Sequence, residues 1–458
     1  MSGSYYIALS GLNAAQSGLD VVSQNISNAS TPGYVRERLN LSNLVAPTTG
    51  AGEGVMTQSI SLVSSAFLTN SLNSTSAQQG YATSLSQVLS TAQSFLNEPS
   101  SSGISTQLAN FWSAFDGVAN SPTQLAPRQQ LVSQAQNLAQ TFNQLAQNYV
   151  DLFNSTVASV GTKLQSVNSM LSQVATLNTQ IVAAGPASSN TLVDQRNQLV
   201  GDLATSIGAT VQNQPNGSVN LLVGGVMLVQ DGVSSTLSVS SPTAPPVPTT
   251  SSVTVISSQG GVSVPLTQGT VGGLLQTLNF SLPEYSTSLD KVAASLASTV
   301  NNQLSAGSSY PNNGSTPQSG VPMFVFGGSG STGALNLQIN PTIVSDPYSI
   351  AAAGNPPQGN ADGSNAQAMA ELGTLSSGPD ALYRAMVGGI GLDVSNSNSL
   401  LSSAQVAYQN SYQQFQSVSG VNTNQQLVDM LNYQQGYQAA AKVISTVSSS
   451  IQSLMQAV

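Results

Sequence analysis

Apolar residues at the start of the chain recur every seven positions, at Tyr5, Leu12, Leu19 and Ile26, with Ala8, Ala15 and Val22 three residues on. The last stretch repeats the rhythm with Met430, Tyr437, Ile444, Ile451 and Val458, interleaved with Tyr433, Ala440, Val447 and Leu454. A strip of that period is one seam of a helix, and a helix with only a seam buries it on a partner. The nearest partner for each end is the other, so the pattern predicts N- and C-terminal helices paired as a coiled coil. On this reading Tyr433 and Tyr437 are buried knobs and not platforms for stacking on sugars or bases.

The first helix is expected to end between Asn25 and Asn28, because Thr31 precedes Pro32 and is pushed toward extended geometry, while Pro32-Gly33 favours a tight turn. Over residues 34–63 the pattern is strand-like, with a glycine-rich break at 50–54, which predicts a hairpin. A helical region then spans 66–184, broken near 98–103 and 122–127. Its clearest seam is Leu131, Leu138, Leu145 and Leu152 with Ala135, Phe142 and Tyr149, continued after a register slip by Leu164, Val167, Leu171, Val174 and Ile181. Residues 211–229 turn to strand chemistry around an Asn216-Gly217 turn. The stretch 232–268, rich in Ser, Thr, Pro and Val, predicts an exposed β region with a loose loop. Helical periodicity returns at 272–304, short strands are expected at 323–326 and 335–339, and helices fill most of the rest.

These elements make the fold class mainly α with inserted β, an elongated multidomain chain. Residues 1–65 with 420–458 form a terminal assembly domain of coiled coil plus hairpin, 66–205 with 270–419 a helical body with short strands, and 206–269 an inserted lateral β domain. Helix first, β in the middle and helix last bring both termini to one end.

Composition narrows the chemistry. The 458 residues include no cysteine and no histidine, which removes thiol nucleophiles, histidine bases, disulfides and Cys/His zinc sites. Only 5% of residues are charged, against about 25% in an average soluble domain. The net charge of -9 comes from dispersed acids, with no basic patch for nucleic acid or an anionic membrane. No run reaches the roughly eighteen apolar residues of a spanning helix, and the start lacks a basic, apolar secretory leader. Gln, Ser, Asn and Thr cover surfaces usually given to Glu and Lys; such groups are buried against a neighbour at lower cost than charges, or they suit an unusual habitat.

Two motifs bear on catalysis. Gly328, Gly330 and Gly333 match GxGxxG after a strand-like run, but residues 334–339 alternate like a strand and open no helix for a pyrophosphate. A glycosidase would need a carboxylate pair, and Asp194 with Asp202 or Glu284 with Asp290 could approach in space, but nothing in the sequence singles them out. For Asp194 the expected role is structural, at a helix start and beside Arg196.

The segment Ser23-Gln24-Asn25-Ile26-Ser27-Asn28-Ala29-Ser30-Thr31-Pro32-Gly33-Tyr34 resembles the N-terminal signature of the bacterial flagellar rod, hook and hook-associated proteins. Leu192-Val193-Asp194-Gln195-Arg196-Asn197-Gln198-Leu199, and Ser419-Gly420-Val421-Asn422 followed by Tyr433-Gln434-Gln435-Gly436-Tyr437, are similar to the hook-associated branch at the hook-filament junction. Thr423-Asn424-Gln425-Gln426 stands where relatives usually carry acidic residues. The resemblance implies a structural, non-enzymatic, extracellular flagellar component without cofactor or metal. It implies export unfolded through the flagellar type III apparatus without a cleaved signal peptide, and ring-forming self-assembly. Implied partners are hook protein, a second junction protein or filament, and a cytosolic export chaperone on residues 430–458, with no nucleic acid and no membrane insertion. The assembly residues implied are Leu12, Leu19, Val22, Asn25, Ile26, Asn28, Pro32, Gly33, Tyr34, Met430, Tyr433, Tyr437, Ala440, Ile444, Val447, Ile451 and Leu454. Within the same family, a hook protein is the alternative, expected to be richer in strand; a wall-degrading enzyme on a flagellar scaffold is the alternative from another class.

Overall fold

The computed structural model describes residues 2–31, 33–45, 52–185, 190–242, 244, 247–248, 252–314, 316–327 and 333–456. Helix α1 (Ser2–Ser27) is followed by an antiparallel hairpin, β1 (Glu37–Val45) with β2 (Gly52–Leu62). Helices α2 (Ala66–Ser94), α3 (Ile104–Asn120), α4 (Leu125–Ala184) and α5 (Asn190–Ile207) come next. A four-stranded antiparallel sheet is laid down in sequential order, β3 (Thr210–Asn213), β4 (Val219–Val223), β5 (Val226–Gln230) and β6 (Val233–Ser234), and β7 (Leu237–Ser240) pairs with β8 (Thr254–Ser257). The chain returns to helix with α6 (Gly269–Gln276), a π-helical turn at Thr277–Ser281 and α7 (Leu282–Ala306). Two short hairpins, β9 (Ser308–Ser309) with β10 (Gln318–Ser319) and β11 (Phe324–Phe326) with β12 (Leu337–Ile339), and helices α8 (Pro341–Ser345) and α9 (Ser364–Glu371) precede α10 (Pro379–Ser419) and α11 (Thr423–Gln456).

The 60-residue α4 organises the body. Leu131, Ala135, Leu138, Phe142, Leu145 and Tyr149 are buried at three-four spacing, and Leu164, Val167, Leu171, Val174 and Ile181 are buried further along. The register slip lies between them, where Phe153, Thr156 and Val160 are buried. The steps from Tyr149 to Leu164 run four, three, four and four residues, so one extra step of four enters the alternating three-four pattern, and that insertion is the slip. Leu152, expected on the seam, is only half-buried because Phe153 takes its place. Each fully sheltered Leu or Phe contributes about 1.5–3 kcal/mol, so this face alone accounts for much of the body's cohesion.

Helix ends follow local rules. Ser65 caps α2 by accepting from the Leu68 N–H, and Pro379 starts α10 where its missing N–H is harmless. Aromatic donors then tie helices to carboxylates: Trp112 Nε1 to Asp380 (2.9 Å), Tyr285 Oη to Asp393 (2.9 Å) and Tyr383 Oη to Glu98 (3.2 Å).

Asparagine amides dock strands and loops onto helices. Asn178 on α4 donates to Val219 O and Asp231 O and accepts from Val219 N; Asn168 makes the reciprocal pair with Leu237. Asn301 on α7 does the same for Met323 and Phe324, and Asn279 for Val253. One amide both donates and accepts, so it satisfies strand-edge backbone without bringing a charge indoors. This gives the charge-poor composition a structural use. A deeply buried cation in this part of the body, Arg128, is held by the carbonyls of Pro122, Pro347 and Ile350 and lies over the Tyr348 ring; burial lowers its pKa to about 10.

β11 and β12 form an antiparallel hairpin, and Asp290 on α7 accepts from the Ala334 N–H at its turn. Among the described residues the segment between these strands holds a single 3-10 turn, Ala334–Asn336, and no α-helix whose N-terminus could hold a pyrophosphate. Gly328 and Gly330 of the GxGxxG spacing lie outside the described residues.

Candidate functional site

Helices α1 and α11 lie side by side and antiparallel. Gly11 faces Ala440, Ala15 faces Gly436, Gly18 faces the Tyr433 ring, and Asn25 meets Gln426. Rising numbers on one helix meet falling numbers on the other, so both ends of the chain emerge together. Small residues set the separation: a methyl group on Gly18 would overlap the Tyr433 ring. An adjoining face of α1 packs on the hairpin, where Ser10 Oγ accepts from the Val55 N–H (3.1 Å) and donates to Ile7 O (2.8 Å).

Asn25 is the polar centre of this arrangement and is 1% exposed. Its Nδ2 donates to Glu37 O (2.9 Å) and Gln426 Oε1 (2.8 Å), and its Oδ1 accepts from Glu37 N (2.9 Å) and Tyr34 Oη (2.9 Å). All four hydrogen-bonding positions of the amide are used, across α1, the turn, β1 and α11. Asn28 closes α1, its Nδ2 donating to Gln24 O and its Oδ1 accepting from Thr31 Oγ1. Gly33 adopts φ +79, a conformation that a side chain disfavours, and packs against Gln198.

One face of α5 holds this turn to the body. Asn190, Asp194 and Gln198 are spaced four apart and are therefore neighbours on the helix. Asn190 Nδ2 donates to Glu37 Oε1 and Ile60 O (both 3.0 Å), Asp194 faces Val35 and Glu37, and Gln198 lies against Gly33. Burial, then the charge of Glu37, push the Asp194 carboxyl up to about 7, against the Val35 N–H that works the other way. Burial and the charges of Glu37 and Asp194 also raise the Tyr34 phenol.

Asp194 therefore does not pair with Arg196. Residues two apart point to different sides of a helix, and Arg196 donates instead to Gly217 O (2.8 Å) and Asn197 Oδ1 (3.2 Å). Asp202 lines a separate groove between α4 and α5, with Ser172 and Gln195, while Asp290 is committed to the β11–β12 turn. The carboxylate that Asp194 meets is Glu37, which spacing along the chain does not single out.

Of the residues expected at the interface, Val22 and Asn25 are buried, and Leu12, Leu19, Ile26, Asn28, Tyr34, Met430, Tyr433, Ala440, Ile444 and Val447 are half-buried. Gly33 is exposed, and Pro32 lies outside the described residues. Tyr437 is 36% exposed and not an enclosed knob; in this register the close contacts on either side of it are Gly436 with Ala15 and Ala440 with Gly11. Ile451 and Leu454 are also exposed. α1 has 26 residues and α11 has 34, so in the observed register the end of α11 overhangs the start of α1. Gln426, Gly18 and the Asn190-Asp194-Gln198 face were missed; the signals available were glycine within a helical seam and polar residues at four-residue spacing.

Comparison with known proteins gives the same organisation. The family described as "Flagellar hook-associated protein FlgK helical domain" matches residues 89–324, just over half of the chain. "Flagella basal body rod protein" matches 6–34 and "Flagellar basal body rod FlgEFG protein C-terminal" matches 412–457, the two segments that pair here. Flagellar hook-associated protein 1 of Salmonella typhimurium is 30% identical over 313 residues, covering 66% of this chain and 56% of the relative. That of Bacillus subtilis is 25% identical over 218 residues, covering 45% and 43%. The chain thus spans about half the length of these relatives. The flagellar hook junction protein FlgK of Burkholderia pseudomallei superimposes with a TM-score of 0.64 at 19% identity, over 76% of this chain and 100% of that one, a likeness of fold. On the match to its helical body, the chain belongs to the flagellar hook-associated protein FlgK family.

Proposed function

We propose that this chain is a structural component of the bacterial flagellum, a ring-forming junction between hook and filament that assembles through its two terminal helices. The observation that carries the reading is the antiparallel α1–α11 pair locked by Asn25, standing on a helical body with its own core. α11 offers much more apolar surface than α1 covers. Leu427, Val428, Leu431, Val443, Ile451, Leu454 and Met455 are exposed, and Gln426 is the one buried residue among those described on this helix. Neighbouring copies, hook protein on one side and a second junction protein or filament on the other, are the partners such a surface fits.

The same surface suits a protein exported unfolded through the flagellar type III apparatus to an extracellular site. The far ends of the two helices are weakly ordered in the free chain and become ordered when neighbours add contact area. Residues 430–458 form the amphipathic segment that a cytosolic chaperone groove takes. The role is architectural: histidine and cysteine chemistry is absent, and Asp194, Asp202 and Asp290 are each held in a different place. Among the described residues no helix is long and apolar enough to cross a membrane, and no basic patch in the sequence favours nucleic acid.

Electron microscopy of hook-basal bodies from cells with and without this protein tests the proposal. Hooks bare of filament in its absence are expected; normal filaments on hooks that lack it would overturn the junction role.

A further inference from the structure

The terminal unit, α1 with the hairpin and α11, joins the body through two chain crossings, 63–65 and 420–422, and through the α5 face. The crossings are short and held by backbone; Arg36 N donates to Ser419 O and Val63 N to Arg36 O. The α5 contact is a side-chain fastening between the two parts, and it has an unusual composition. Glu37, 8% exposed, lies close enough for its charge to act on Asp194, and Asp194 Oδ1 is buried without a hydrogen-bond partner. Leaving a buried carboxylate oxygen unpaired beside a second carboxylate is costly unless a proton is present.

The groups that act on the Asp194 carboxyl are Glu37 and the Val35 N–H, and no cation is among them. Arg36 Nε, in the turn before β1, has no hydrogen-bond partner, and Arg196 on α5 is turned to Gly217 and Asn197. Tyr34 is engaged by Asn25, and Asp429 on α11 accepts from Gln425 and Gln426.

We propose that the contact between α5 and the base of the hairpin is a proton-operated clamp: a proton on Asp194 closes it onto Glu37 and Val35, and release of that proton to solvent lets the terminal unit move on the body. The inference is independent of the flagellar reading. Linkage sets the sign. Asp194 sits at about 7 in the closed clamp and returns to its ordinary 3.8 when opened. The closed state therefore binds the proton more tightly, and its advantage is complete below pH 3.8 and lost as pH rises through 7. The ratio of open to closed rises about tenfold per pH unit across that window and is flat above it.

A chain without cysteine accepts a clean label pair. Gln58→Cys on β2 and Gln165→Cys on α4, both exposed in the structure, carry spin labels for distance measurement at pH values from about 5 to about 9, which bracket the closed-state titration. A narrow distance distribution at the acid end that broadens toward the alkaline end is expected. Asp194→Asn, which keeps a donor at every pH, should stay narrow throughout, and Glu37→Gln should move the transition to lower pH. Circular dichroism on each variant checks that the body is folded. A distribution independent of pH in the labelled chain that keeps Asp194, or an Asp194→Asn variant that broadens at the same pH, would overturn the clamp.

Discussion

Asn25 on α1 and Gln426 on α11, 401 residues apart in the chain, are joined by a buried 2.8 Å hydrogen bond. Asn25 also receives the Glu37 N–H and the Tyr34 hydroxyl, so one side chain holds the first helix, the turn, the hairpin and the last helix in a single geometry.

Replacing Asn25 with Leu should leave these partners unpaired in a site closed to water. The loss is about 1–3 kcal/mol for each group left without a partner. Denaturant unfolding followed by circular dichroism is expected to show the terminal helices melting before the body. A single transition at the original midpoint would mean that Asn25 does not hold the ends together.

Gly18 poses a local conflict with a defined answer. Within an isolated helix, Gly to Ala gains roughly 1 kcal/mol, yet here the new methyl meets the Tyr433 ring. Gly18→Ala should therefore weaken the α1–α11 pair despite its better helix propensity, and adding Tyr433→Leu should restore part of the loss. Thermal melts of the two variants decide it; a stabilised single variant would show that the ring moves aside freely.

The seams of α1, α4 and α11 were legible because heptad spacing places apolar residues on one face whatever the tertiary context. So was the turn at Asn216-Gly217, where Gly217 adopts φ +88 as a hairpin requires. The limits were equally physical. Periodicity finds a face but not its register, and register decides that Ile451 and Leu454 overhang while Tyr437 is left exposed. Polar contacts were hidden more deeply: Asn25 was legible as part of a motif, but Gln426 and Glu37, its partners, come from segments with no periodic signal linking them. Pairing Asp194 with Arg196 fails because a neighbour in sequence is here not a neighbour in space.

The loop before α9 predicts an acid-sensitive site. Burial pushes Asp362 upward, but N–H groups of Ser364, Gln358 and Gly354 outweigh it and hold the carboxyl down to about 2. A lowered pKa gives stability that is present above the ordinary 3.8 and lost as pH falls through 2. Amide protection at Ser364 and Gly354 should therefore fall between about pH 4 and about pH 2, and Asp362→Asn should show weak protection at all pH values. Protection unchanged to the acid end of that range would contradict this balance. The trend is opposite in sign to that of the Asp194 clamp, so the two are separable in one titration.

Paired ends on a self-sufficient body make the chain a unit of assembly, and that reading is open to a decisive experiment. Cells whose only copy lacks residues 425–458 supply hook-basal bodies for electron microscopy, and the same purified chain is followed by circular dichroism. A folded body with a cooperative melt is expected, together with hook ends that carry neither this chain nor filament. Filaments growing on hooks that hold the truncated chain would show that the last helix is not what joins it to its neighbours.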